Sequence, residues 1–262
     1  YRRIADDHLT SAGAARGAAR SLQRHEEGAL RERLRYHPAT PRPGTRPAQE
    51  LPMTRERLVD LLSSSLDARP ELVGGGVIIG HTPDVAPLAY LHRLYPVLSR
   101  GDLVGLADSV GRPVPPDYAT FLCDVGNGAR LFALHLYGYV GQLRRDASDP
   151  LGQPVSLSYG NVVERPSGLD DETLAIGGMV GWSARGCLVM TAACAVLLVH
   201  PIDGRDVAAS WPSLDAMLED EIARCSALYD RAGRCLVSST EVMHPGGRKW
   251  ETSVEPRQRR PS

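Results

Sequence analysis

Lysine is almost absent from this chain of 262 residues: Lys249 stands alone beside 29 arginines. With abundant alanine, glycine and proline, that bias reads as a GC-rich coding sequence rather than selection for guanidinium chemistry. C-x-x-C pairs are missing too. The five cysteines, at 123, 187, 194, 225 and 235, are odd in number, which argues against a disulfide framework or structural zinc and predicts buried or idle thiols in a reducing cytosol. No apolar run is long. The most apolar stretch, Gly186 to Val199, has 14 residues, too few to span a bilayer and suited to buried strands. With no G-x-y repeat, no long heptads and a net charge of −1, collagen, coiled coil and wholesale disorder are excluded. The expectation is a soluble, cytoplasmic protein that engages no membrane.

Catalytic signatures are equally scarce. The eight histidines (8, 25, 37, 81, 92, 135, 200 and 244) include no H-E-x-x-H and no pair one helical turn apart. His81 with His92, or His135 with His200 on neighbouring strands, are the pairs that could meet in space. A G-x-S-x-G elbow is absent. The glycines of Gly74-Gly75-Gly76-Val77-Ile78-Ile79-Gly80 lack phosphate-loop spacing and no lysine follows, so this stretch predicts a turn leading into a short strand. Cys123 falls beside a buried helical stripe, with little to support a nucleophile. The expectation is a non-enzyme with no catalytic residues, metal or cofactor.

Charge is unevenly placed. Residues 1–52 carry a net +4, residues 53–235 a net −7 and residues 236–262 a net +2. An acidic domain between basic arms repels phosphate backbones and steers basic partners toward itself; nucleic-acid binding by the core is disfavoured. Residues 1–36 read as a solvated helix and residues 37–47, rich in proline, as a linker. The first methionine is Met53, and Leu58, Leu61, Leu62 and Leu66 follow at helical spacing. We expect translation to start at Met53, with 1–52 an upstream extension; a disordered arm or the end of a longer protein are the alternatives. Residues 53–235 are read as the folded domain and 236–262 as a flexible basic tail.

Within that domain, residues 86–98 (Ala86, Leu88, Leu91, Leu94, Tyr95) and 101–110 read as helices, the second ending before Gly111. The sharpest segment follows. Pro116 suits a first helical turn and Asp117 complements the positive end of its dipole. Tyr118, Phe121, Leu122 and Val125 make one buried stripe, and Gly126-Asn127-Gly128 stops the helix. Arg130 to Tyr139 then reads as a strand ending at Leu136-Tyr137-Gly138. A strand hairpin at 187–200, a turn at Asp203-Gly204 and a closing helix from Trp211 come later, with Pro212 in its first turn. Leu214, Met217, Leu218, Ile222 and Cys225 form that helix's apolar face, leaving Glu219, Asp220 and Glu221 mostly toward solvent. The layout is α+β, a mixed and mostly antiparallel sheet with helices packed against it.

The order of these pieces resembles the SUKH superfamily (Smi/Knr-like), which contains yeast cell-wall-synthesis regulators and many bacterial toxin-immunity proteins. Pro116, Asp117, Tyr118, Phe121, Leu122, Asn127, Gly128, Leu136, Tyr137 and Gly138 carry the likeness, with Asn161 and Leu174-Ala175-Ile176-Gly177 matching later segments over roughly residues 85–229. Pro115 departs from the family's leucine before its proline, and Met53–His81 has no counterpart. The resemblance implies a single SUKH-like domain and a protein partner. An immunity protein neutralising a toxin is the leading expectation, and a regulatory scaffold binding cellular partners the alternative. The acidic core points to a basic toxin, such as a nuclease, and makes Asp170, Asp171, Glu172, Glu219, Asp220 and Glu221 the candidate partner-binding carboxylates. Solvated loop and helix faces explain the same residues. An enzyme would need a site assembled from scattered His, Asp and Tyr, with His135 and His200 foremost.

Overall fold

A computed structural model describes residues 52–143, 146, 148–179 and 186–236. The two regions expected to be basic arms, with the helix and linker read into the first, lie outside the described residues apart from Pro52 and Leu236. The described part is an α+β domain. Nine strands form one sheet in which spatial order equals chain order: β1 (Glu71–Val73), β2 (Gly76–His81), β3 (Tyr90–Leu94), β4 (Ala129–Leu131), β5 (Leu134–Leu136), β6 (Leu174–Met179), β7 (Cys187–Met190), β8 (Val196–Val199) and β9 (Val207–Trp211). Every pairing between them is antiparallel, so the expected mixture reduces to a meander. Helices α1 (Arg55–Ser64), α2 (Arg100–Val110), α3 (Pro116–Thr120, continued by a π turn over Phe121–Val125), α4 (Leu157–Val162) and α5 (Leu214–Ser226) bury Leu58, Leu62, Leu106, Leu122, Leu157 and Leu218 in the core that includes one face of the sheet. Among the described residues no helix is long and apolar enough to cross a membrane.

Strand alternation sorts the faces. Val77, Ile79, Leu94, Ala129, Leu131, Leu134 and Leu136 point into the main core. On the reverse face lie two smaller clusters, around Ile78, Tyr95 and Leu151 and around Ala175, Cys187, Val189 and Val199.

Several sequence expectations are met. α1 carries Leu58 and Leu62 inward, α2 ends at Gly111 in a left-handed cap, and the glycine-rich stretch is the β1–β2 turn and β2. The 187–200 hairpin is β7–β8. Others are corrected. Residues 86–98 are not helical: β3 occupies Tyr90–Leu94, because Pro87 and Pro96 leave too few residues between them and a residue before proline avoids the helical region. Arg130–Tyr139 is two strands, not one, folded at Phe132-Ala133 with Phe132 at φ 55. The closing helix starts later, since Trp211 ends β9 and Ser213, not Pro212, opens the helix by accepting from the Ala216 N–H.

The residues that carry the family resemblance hold this frame together. α3 opens on Pro116 with Asp117 in its first turn, and buries Tyr118, Phe121, Leu122 and Val125. The Tyr118 hydroxyl, fully buried, lies against two carbonyls, Tyr137 O on one strand extension and Ile176 O on β6 (3.0 Å). Ile176 is the extra residue of a β-bulge in β6. Asn127 mimics a strand residue: its Nδ2 donates to Tyr139 O (2.9 Å) and its Oδ1 accepts from Tyr139 N–H (2.6 Å). Asn161 does the same for Ala175, at 2.8 and 2.9 Å, where β5 has already ended. Gly128 stands at φ +81, and a side chain on Gly138 would overlap the Asn127 carbonyl oxygen.

Tyr118→Phe removes the hydroxyl proton that lies between Tyr137 O and Ile176 O. We expect a loss of about 1–3 kcal/mol in unfolding free energy, read from the urea midpoint at unchanged slope.

Candidate functional site

The candidate carboxylates divide into two groups with different fates. On α5, Glu221 is buried at 3% exposure, contrary to the solvent-facing expectation, because the 3.6-residue period carries it round to the core side beside Ile222. There Arg224 pairs with it at 2.7 Å; burial still pushes its carboxyl up. Half-buried Asp220 accepts from the Trp211 indole N–H at 2.8 Å, tying the helix to β9. Half-buried Glu219 meets Arg57 of α1 at 2.5 Å. Glu219 and Asp220 thus tie the helix to its neighbours, while Glu221 is paired within the helix itself.

The turn before β6 is different. Asp170, Asp171 and Glu172 are exposed. Asp170 accepts from the Thr173 hydroxyl through its Oδ1, which holds its carboxyl below the usual range. Asp171 projects into solvent with Arg112 3.8 Å away. Arg165 ties this turn to α4: its guanidinium donates to Thr173 O (2.8 Å), to Asp170 O and, at 3.4 Å, to Asn161 Oδ1. Beside that anchor, at the end of α4, Val162 and Val163 are 66% and 63% exposed, and Tyr159 one turn earlier is exposed as well. Arg165 thus links the acidic turn to the end of α4, where these apolar side chains are exposed. Neither Val162, Val163 nor Arg165 stood out in the sequence; a helix of six residues gives too short a period to mark its outer face.

The expected meeting of His135 with His200 does not occur. His135 on β5 and His200 after β8 are three strands apart, about 14 Å along the sheet, and His200 sits in its own turn with Asp203 at 3.1 Å. His81 stacks on Tyr90 at 4.9 Å while His92 pairs across from Ile79. His92 is buried, accepts from the Phe132 N–H at 3.3 Å, and is driven down to about 3 by desolvation. His135 falls to about 4, through burial and then the neighbouring Arg130 and Arg93. Among the described residues no cluster of three or more His, Cys, Asp or Glu could hold a metal. Cys123 is partly buried and its thiol is raised by burial; Cys187 and Cys225, both buried, rise to about 12, against thiolate chemistry.

No family model, curated protein or solved structure matches the chain.

Both histidines, His92 buried and His135 half-buried, are neutral in the fold and would protonate near 6.5 once unfolded. Their folded values are depressed, so their stabilising contribution is complete above pH 6.5 and is lost as pH falls, through about 4 for His135 and about 3 for His92, by up to about 1.4 kcal/mol per pH unit for each. We expect His135→Gln to lose less stability than the parent between about pH 7 and pH 5, measured by urea unfolding at both.

Proposed function

We propose that the chain is a non-enzymatic protein-binding protein of the SUKH type, an immunity protein that neutralises a basic toxin in the cytoplasm by covering one of its functional surfaces. One observation carries the choice of surface: Arg165 fixes the acidic turn 170–172 beside exposed Val162 and Val163, which yields an apolar centre with an anionic rim. Protein interfaces are built that way, the apolar centre giving affinity and the charged rim giving association rate and register. The net −7 of residues 53–235 supports a basic partner. The residues behind the family resemblance hold backbone to backbone, which leaves the surface free to differ between members and toxins. Asp171 and Glu172 are the carboxylates assigned to the rim; the α5 triplet is assigned to the frame.

The test is co-expression of the full chain with the C-terminal domain encoded by the neighbouring gene. Growth rescue and a salt-sensitive complex are expected. Val162→Glu with Val163→Glu should abolish rescue, while Asp171→Asn with Glu172→Gln should slow association severalfold at low salt and leave dissociation nearly unchanged. Rescue indifferent to both pairs would remove this surface from the reading. A neighbour with no toxicity would move it to the regulatory scaffold.

A further inference from the structure

The reverse face of the sheet carries an arrangement that the proposed binding surface does not use. Arg93 and Arg130 stand directly opposite one another across β3 and β4, with the neutral His135 next in the row on β5, and like charges so placed destabilise a sheet. Arg93 donates to Leu88 O at 2.7 Å. Arg130 is half-buried and its Nε meets no hydrogen-bond partner among the described residues. The groups that bear on its charge are Arg93, Tyr95 and Tyr229, none of them a carboxylate, and burial disfavours the charge further. A guanidinium held this way is costly unless something neutralises it.

Arg130 lines a cleft of about 760 Å³ between the 82–89 loop and the segment 229–235, within the range of small-molecule sites. The walls are aromatic: His81 stacked on Tyr90, with Phe132 and Tyr229 ring to ring at 4.9 Å. Asp84, exposed on the 82–89 loop, is the single carboxylate among the described residues lining it. Phe132 itself holds φ 55, a conformation costly to a residue with a side chain and one that clusters at ligand sites. A tight hairpin favours glycine there; phenylalanine places its ring between His92 and Tyr229 and lines the cleft.

We propose that this cleft is a binding site for a small planar organic anion, an aromatic carboxylate or a nucleoside monophosphate, whose ring lies among Tyr90, Phe132 and Tyr229 and whose anionic group meets the Arg130 guanidinium. The anion supplies the counter-charge that the β3–β5 row lacks. Arginine suits this, since its planar fork grips carboxylate or phosphate through two parallel bonds.

The experiment uses the full chain with anilinonaphthalene sulfonate as fluorescent planar anion and phenylnaphthylamine as its uncharged counterpart. We expect saturable one-to-one binding of the sulfonate, weakened at least about tenfold by Arg130→Leu and partly restored by Arg130→Lys, with the uncharged probe changed less than about twofold. Thermal melting separates binding from folding: without ligand, Arg130→Leu should melt no lower than the parent, because it removes an unneutralised charge. Displacement by indole acetate or by adenosine monophosphate then tells the two ligand sources apart. The inference fails if the sulfonate does not saturate, if Arg130→Leu binds it as the parent does, if that variant melts several degrees lower, or if neither competitor displaces the probe.

Discussion

A single phenol, that of Tyr118, decides where the helical layer sits on the sheet. Its oxygen is buried between Tyr137 O and Ile176 O, so one turn of α3 is fixed to two adjacent strands at once. A buried hydroxyl without a partner would be expensive, and here it lies against Ile176 O at the β6 bulge, a carbonyl that also accepts the Tyr137 N–H at 2.8 Å. The stripe of Phe121, Leu122 and Val125 then fills the space beneath. Arg55 secures the other end of the helix by donating to Val125 O at 2.8 Å and to Gly75 O at 2.8 Å, a cation where the helix dipole is negative. Helix position, bulge and strand order are one linked arrangement.

With all five helices burying residues in the core on one side, the sheet has an asymmetric cross-section. The helix-covered face is apolar apart from the buried His92 opposite Ile79 and Leu131. The reverse face is apolar only toward its flanks, at Ile78 and around Cys187, and polar through β3, β4 and β5. A sheet whose second face were meant for water would carry scattered polar residues of both signs; this one concentrates base in a single row. The apolar end of α4 and the Arg130 cleft answer to different physics. The first is exposed hydrophobe beside exposed acid, suited to a macromolecule, whereas the cleft is concave, aromatic and cationic.

Much of the frame was legible in the sequence because its signals were local. Pro116, the Tyr118 stripe and the Asn127-Gly128 stop each report on neighbours a few residues away, and α3 follows from them. Where proline bracketed a leucine-rich stretch, periodicity misled: Leu88, Leu91 and Leu94 fit a helical spacing as well as a strand between Pro87 and Pro96. The Phe132-Ala133 turn left no mark, since its φ is borne by a phenylalanine where a glycine would have announced it. The α5 carboxylates were misplaced for a related reason. Three consecutive acids read as one solvated face, yet three consecutive helical residues span most of a turn, and the last of them reached the core. Arg165 and Arg55 were beyond reach, because both act on carbonyls of other elements.

One of the two asparagines that extend the sheet, Asn127, gives the protein a chemical lifetime as well as a shape. Asn127 precedes Gly128, the pairing in which a following backbone nitrogen most readily attacks the side-chain amide and converts it to aspartate or isoaspartate, a heat-labile spot in many proteins. In the folded chain both ends of that amide are held by Tyr139, so the attacking geometry is denied while the loop stays closed. Opening exposes it, and the product cannot donate to Tyr139 O when the loop returns. Ageing at this position is therefore governed by how often the loop opens, and each conversion makes the next opening easier.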